Sequence, residues 1–329
     1  MRGEIVVPKS ANLLRKRAFS RDFIQNTIVL CVGMVIMAIF GLSSPYFLTW
    51  NNIVALLVAM VPSGLILIGE CYLMIAGEWD MAPGNVASLA GMVWGALIVH
   101  TQLAYWLCFV IALMVGVIFG AFTGGVCNRF GVPAWMASYA VMQICTTFTY
   151  LINDGKAIPL REHAPIKWLG QADILGTGLT PAVIIMLVLI GIGAFVLRYT
   201  QFGRNLYLIG GNREAAYNVG INVNLYRMVC FIICGVMSAL AGLLFASRSA
   251  SAQINACGLC AFNGIAGTMI SSGSLAGGRG NLIMAAIGVF LIVSLQNGLY
   301  MMGVSVFYQY MVTGLALFVA VFAQADRKK

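Results

Sequence analysis

Along the chain, runs of apolar residues long enough to cross a bilayer's hydrocarbon core alternate with short polar segments. Ten such runs are read, at about 23–43, 52–76, 84–99, 103–127, 134–152, 181–198, 224–246, 259–276, 281–299 and 306–323. The pattern predicts an all-α, polytopic transmembrane helical bundle of about ten spans with broken helices. Pro62 falls inside the second run and is expected to bend it, because its ring removes a backbone donor and crowds the preceding turn. On this plan residues 1–22 form a basic N-terminal segment, 23–323 the membrane domain and 324–329 a short tail.

Composition agrees with the pattern: 61% of the residues are hydrophobic, 9% are charged, and mean hydropathy is +0.93. A net charge of +9 raises the question of nucleic acid. The basic residues, however, fall between apolar runs and at both ends, with no basic stripe interleaved with aromatics. They read as the positive-inside signal of a membrane protein. Arg2, Lys9, Arg15, Lys16, Arg17 and Arg21 precede the first run and Arg327, Lys328 and Lys329 follow the last. An even number of crossings then places both termini in the cytoplasm. The first run is too long for a cleaved signal peptide and is expected to stay as an anchor. The long external segment from Asn153 to Thr180 carries three charges of each sign, which that rule permits outside.

One polar island interrupts the apolar pattern, the segment 199–223 between the sixth and seventh runs. Gly210, Gly211 and Asn212 read as a turn and N-cap, and Arg213 to Asn218 as a single short helix ended by Gly220. So short a helix is unstable alone in water and is expected to dock onto a partner subunit.

Two glycine-rich segments, Gly77 to Gly84 and Ser271 to Gly280, are read as breaks at membrane depth. Irregular backbone is tolerated there only when buried in protein or lining a wet cavity. Glu70, Glu78 and Asp80 lie in or beside the second span. Ionisable groups at depth mark functional sites; Glu78 and Asp80 read equally as caps on the third helix. Gly116, Gly120 and Gly124 recur at the four-residue spacing that lets helices approach closely. Cys257 and Cys260 form a CxxC whose readings are a metal or redox pair, a disulfide, or two small hydrophobes; with only His100 and His163 elsewhere, no four-ligand zinc set is assigned. The sequence carries no P-loop, nucleophile elbow or HExxH, and no catalytic residue is assigned.

Several strings together resemble the permease subunits of ATP-binding-cassette importers for ribose, galactose, xylose and related sugars, a group that includes autoinducer-2 permeases. They are Phe202-Gly203-Arg204, Ile209 to Asn212, Glu214-Ala215-Ala216, Gly220-Ile221-Asn222, Leu240-Ala241-Gly242 through Arg248, Ser251-Ala252-Gln253, Ser274 to Gly280, Gln296-Asn297-Gly298 and Gly303-Val304-Ser305. Ile75 to Gly84 looks like a further motif of that group, retaining Gly77, Asp80 and Gly84. It departs where Glu78 and Trp79 stand for glycine and isoleucine, and Ala82 and Pro83 for serine and valine. Ser271 and Ser272 stand for a glycine pair, and Ala261 and Asn263 for acidic residues.

The resemblance implies that 213–218 is the coupling helix, with Arg213, Glu214, Ala215, Ala216 and Gly220 engaging a separate ATPase that holds ATP and Mg. It implies a periplasmic binding protein, a second permease, identical or similar, and residence in the bacterial inner membrane. Candidate path residues are Asp80, Gln253, Asn263, Ser271, Ser272, Gln296 and Asn297, whose largely neutral hydrogen-bonding groups suit a sugar-like solute. Hydrophobic amino acid and nucleoside cargoes stay open. The alternative is a stand-alone proton-coupled transporter using Glu70, Glu78 or Asp80; a membrane-embedded enzyme is a third reading.

Overall fold

The protein was analysed as a computed structural model, which describes residues 27–174, 176–258, 260–270, 277–305 and part of 307–318. The N-terminal segment, Ser271, Ser272, most of the tenth predicted span and the tail lie outside the described residues.

The chain is helical nearly throughout. In order come α1 (Thr27–Ser43), α2 (Trp50–Ile75), α3 (Pro83–His100), α4 (Tyr105–Phe130), α5 (Ala134–Ile152), β1 (Ile158–Pro159), α6 (Ala164–Gln171) and α7 (Pro181–Tyr199). There follow α8 (Gln201–Gly211), α9 (Arg213–Asn218), α10 (Val223–Ser249), β2 (Ser251–Ala252), α11 (Cys260–Ile270) and α12 (Leu282–Met301). Among the described residues, α2, α4, α7, α10 and α12 are each long and apolar enough to cross a membrane alone. The chain is thus a multi-pass membrane protein.

Helix α2 is the axis of the bundle. From Met60 to Ile75 every residue is buried, because α7, α10, α11 and α12 surround it. Pro62 lies within the helix. The second large contact surface joins α10 to α4 and α3. There Gly116 and Gly120 lie directly on the backbone of Gly235 and Phe231, and Gly242 lies on the carbonyl of Ala87. Missing side chains let these backbones touch, so the spacing seen in the sequence is close packing.

Loop contacts sort the two ends of the bundle. At one end Trp50 donates its indole N–H to the Thr177 carbonyl at 2.8 Å, and β1 pairs antiparallel with β2. The long segment 153–180, read as external, therefore contains a strand and a helix that the sequence pattern does not reveal. At the opposite end gather the 76–82 connection, the loop after α4, helices α8 and α9, and Gly277 to Gly280.

The eighth span, expected over 259–276, is helix over Cys260–Ile270, and its other residues lie outside the described ones. What precedes that helix needs correction. The segment ahead of it, read as external up to Asn255, instead descends without helix along α3, with Ala252 against Gly95 and Cys257 against Gly84. Those contacts are about 16 Å apart along the α3 axis.

The close helix contacts lead to a paired test. Gly235→Leu and Gly116→Leu should each lower the thermal unfolding temperature of the detergent-solubilised protein, a loss of about 1–3 kcal/mol or more. Gly191→Leu, on an open face with no heavy atom within 4 Å, should leave it unchanged.

Candidate functional site

Helix α2 ends by a paired backbone turn. Gly77 takes φ +81, its N–H donates to Met74 at 3.0 Å, and the Glu78 N–H donates to Leu73 at 2.9 Å. Only glycine enters that left-handed conformation without strain. The turn aims Glu78 across to two arginines. One is Arg213, the first residue of α9; the other is Arg227 near the start of α10, at 2.9 Å from Oε1. Arg227 also donates to the Cys127 carbonyl of α4 at 3.1 Å. The Glu78 and Arg227 side chains are 8% and 10% exposed, whereas Arg213 is 48% exposed. A carboxylate so enclosed is held by its partners, since breaking a buried pair by removing one member costs about 3–5 kcal/mol.

Glu78 therefore does not cap α3. Nor does Asp80 cap the first turn: it accepts the N–H of Ala82, the residue before α3, at 2.8 Å, while Ser138 of α5 accepts the N–H of Met81 at 3.0 Å. Trp79, between the two acids, packs against Met74, Ile265 and Met269.

The polar island is two helices, not one. Gly210 and Gly211 close α8 instead of forming a turn, and Phe202, Leu206 and Ile209 give that helix the apolar spacing overlooked in the sequence. Helix α9 occupies 213–218 as expected. The Asn212 side chain caps it by accepting the Ala215 N–H at 3.0 Å. At its far end Gly220 has φ +83, and Gly220 and Ile221 donate back to Tyr217 and Ala216. The helix is fixed at both ends by its own caps.

Of the five residues expected to meet a partner, Arg213, Glu214, Ala215 and Gly220 are exposed. Ala216 is not: it is 3% exposed and packs inward with Ile209 and Val223. Tyr217 and Val219, not among those five, stand out at 72% and 74% exposure. Two bare apolar side chains inside a polar island were the available signal.

Beneath this lever the chain crosses itself at glycines. The Gly278 N–H donates to the Ile75 carbonyl at 2.8 Å, and Gly210 lies against both, with no room for a side chain. Tyr207 of α8 donates its hydroxyl to the Gly280 carbonyl at 2.7 Å. Burial pushes that phenol up to about 12, so it remains a donor at neutral pH. Gly77 and Gly277, from the two glycine-rich segments, thus meet, with α8 wedged on top.

Deeper in the bundle α3 begins beside the descending segment before α11. Ser88 donates to Gly84 at 2.9 Å and accepts the Cys257 N–H at 3.3 Å. Cys257 and Cys260 are both free thiols. Asp80 and Asn263, 5% and 8% exposed, lie on the elements that meet here. The other path candidates among the described residues, Gln253, Gln296 and Asn297, are not gathered with them. Gln253 is exposed higher on the descending segment, and Gln296 and Asn297 are half-buried late in α12, beside the Gly298 contact with the Phe40 ring. Glu70 is wholly buried in α2.

Comparison with known proteins covers almost the whole chain. Residues 52–321 match the family described as the permease component of the branched-chain amino acid transport system. The chain is 30% identical over 317 residues to the ribose import permease protein RbsC of Escherichia coli (strain K12), covering 95% of this chain and 97% of the relative. It is 31% identical over 296 residues to the ribose import permease protein RbsC of Bacillus subtilis (strain 168), with 90% of each covered. It is 30% identical over 302 residues to the L-arabinose transport system permease protein AraH of Escherichia coli (strain K12), covering 92% and 90%.

The glycine crossing makes neighbouring positions unequal. Gly210→Ala should disrupt the junction, lowering the unfolding temperature or preventing accumulation of folded protein. Gly211→Ala, with nothing within 4 Å of the added methyl, should be tolerated. Thermal unfolding of the two purified variants checks the contrast.

Proposed function

The chain belongs to the permease-component family of the branched-chain amino acid transport system, and from that membership we propose that it is the membrane-spanning subunit of an ATP-driven importer for a sugar or sugar-like solute. What carries the reading is the near full-length similarity to ribose and arabinose permeases. The capped, outward-facing α9 supports it, because such a helix suits a cleft on another protein.

In this reading the chain lies in the bacterial inner membrane, crosses about ten times and keeps both termini in the cytoplasm. A separate ATPase, holding ATP and Mg, receives α9. Arg213, Glu214, Ala215 and Gly220 form the polar part of that contact, and Tyr217 and Val219 its apolar part. A periplasmic binding protein delivers the solute at the opposite end, and a second permease, identical or similar, completes the path. Asp80 and Asn263 would contact solute near the junction of α3 and α11; Gln253, Gln296, Asn297, Ser271 and Ser272 are the further path candidates. Family membership and the relatives lend no support to a stand-alone proton-coupled transporter using Glu70, Glu78 or Asp80. Glu78, moreover, is occupied by two arginines.

Two measurements test the proposal. Replacing Glu214 and Ala215 together by Arg should abolish co-purification of the ATPase without lowering thermal stability, since both side chains are exposed; undiminished association would count against it. Purified chain alone in proteoliposomes should take up neither ribose nor arabinose under a pH gradient, whereas uptake would favour the proton-coupled alternative.

A further inference from the structure

The two arginines on Glu78 differ in a way that matters for how α9 is tied to the bundle. Arg227 is enclosed, sits on a long helix and is held a second time by the Cys127 carbonyl. Arg213 is half exposed and belongs to a six-residue helix joined to the bundle by short linkers. If α9 moves away, Glu78 keeps its charge paired by Arg227. The cost of losing Arg213 is then that of a solvent-screened pair, not of stranding a buried carboxylate. On the other side of the contact, Glu78 follows directly on the Gly77 turn and precedes Trp79 and Asp80, the residues that lead into α3.

We propose that Glu78 and Arg213 form a releasable latch between α9 and the α2–α3 break, with Arg227 as the fixed anchor that lets the latch open. The proposal rests on the permease reading above and assigns Glu78 as a positioning residue for coupling, acting through Arg213. Arg213 then has two faces, one toward the ATPase and one toward the break.

Trp79 provides a readout that needs no knowledge of the solute, because it adjoins the latch and packs on α2 and α11. Its signal is the emission change on adding a non-hydrolysable ATP analogue to the permease–ATPase assembly, less that of the assembly carrying Trp79→Phe. With the latch intact this difference should be present. Glu78→Gln should reduce it by about fivefold or more. Arg213→Gln should reduce it similarly, and the double variant should do no worse than either single one, since both remove the same contact.

Arg227→Met should instead lower the unfolding temperature markedly more than Arg213→Gln does. An undiminished Trp79 signal in Glu78→Gln, losses that multiply in the double variant, or equal destabilisation by Arg213→Gln and Arg227→Met would each overturn the latch. A Trp79 signal absent from the unaltered assembly would overturn it too, leaving the permease reading intact. Failure of any ATPase to associate with the unaltered chain would sink that reading and the latch with it.

Discussion

An ionised carboxylate enclosed by protein is tolerated only where positive charge and hydrogen bonds surround it, and Glu78 meets that requirement by drawing four segments to one place. The end of α2 delivers it, α10 supplies Arg227, α4 supports that arginine through Cys127, and α9 adds Arg213. Few arrangements satisfy all of these at once. The result is a geometric tie between an exposed helix and the centre of the bundle. The Gly210 crossing reinforces it, since the Ile75 carbonyl, freed where α2 ends, finds its donor on Gly278 under α8. Backbone groups left without partners in an apolar bundle would cost more than the close approach does.

Much of the architecture is legible in the sequence because its punctuation is strong. Helix α5 runs over 134–152 and α9 over 213–218, both as read, since Pro133, Asn212 and Gly220 leave the backbone little choice. Helix α8 was hidden because three glycines and several polar residues mask a short amphipathic stripe. Helix α6 and the β1–β2 pair were hidden because short elements outside the membrane leave no twenty-residue signature. The descent of 252–258 was missed for the opposite reason: its polar residues look external, yet small side chains and the Ser88 hydroxyl accommodate it beside α3.

The candidate site was legible in its parts but not in its connections. Glycine-rich breaks, a polar island and acids near a span can each be found by composition. That Glu78 should pair with Arg213, at a separation of 135 residues, cannot be read from spacing. Nor can the split between two neighbouring acids, where Glu78 turns toward the lever and Asp80 toward the N-terminus of α3. A two-residue offset in an irregular segment follows no fixed period, so the sequence leaves their directions undetermined.

That split bears on how movement at α9 would travel. The segment from Gly77 to Gly84 is irregular but not slack: Gly77 is set by the α2 turn, Trp79 by Met74, Ile265 and Met269, Met81 by Ser138, and Ala82 by Asp80. Gly84 then bears on the Cys257 carbonyl, where the descending segment leads into α11. With nearly every residue held, the segment leaves little slack around Glu78, and its contacts run to the starts of α3 and α11. Glu78, paired with two arginines directly after the Gly77 turn, thereby ties down a connection that begins at a glycine.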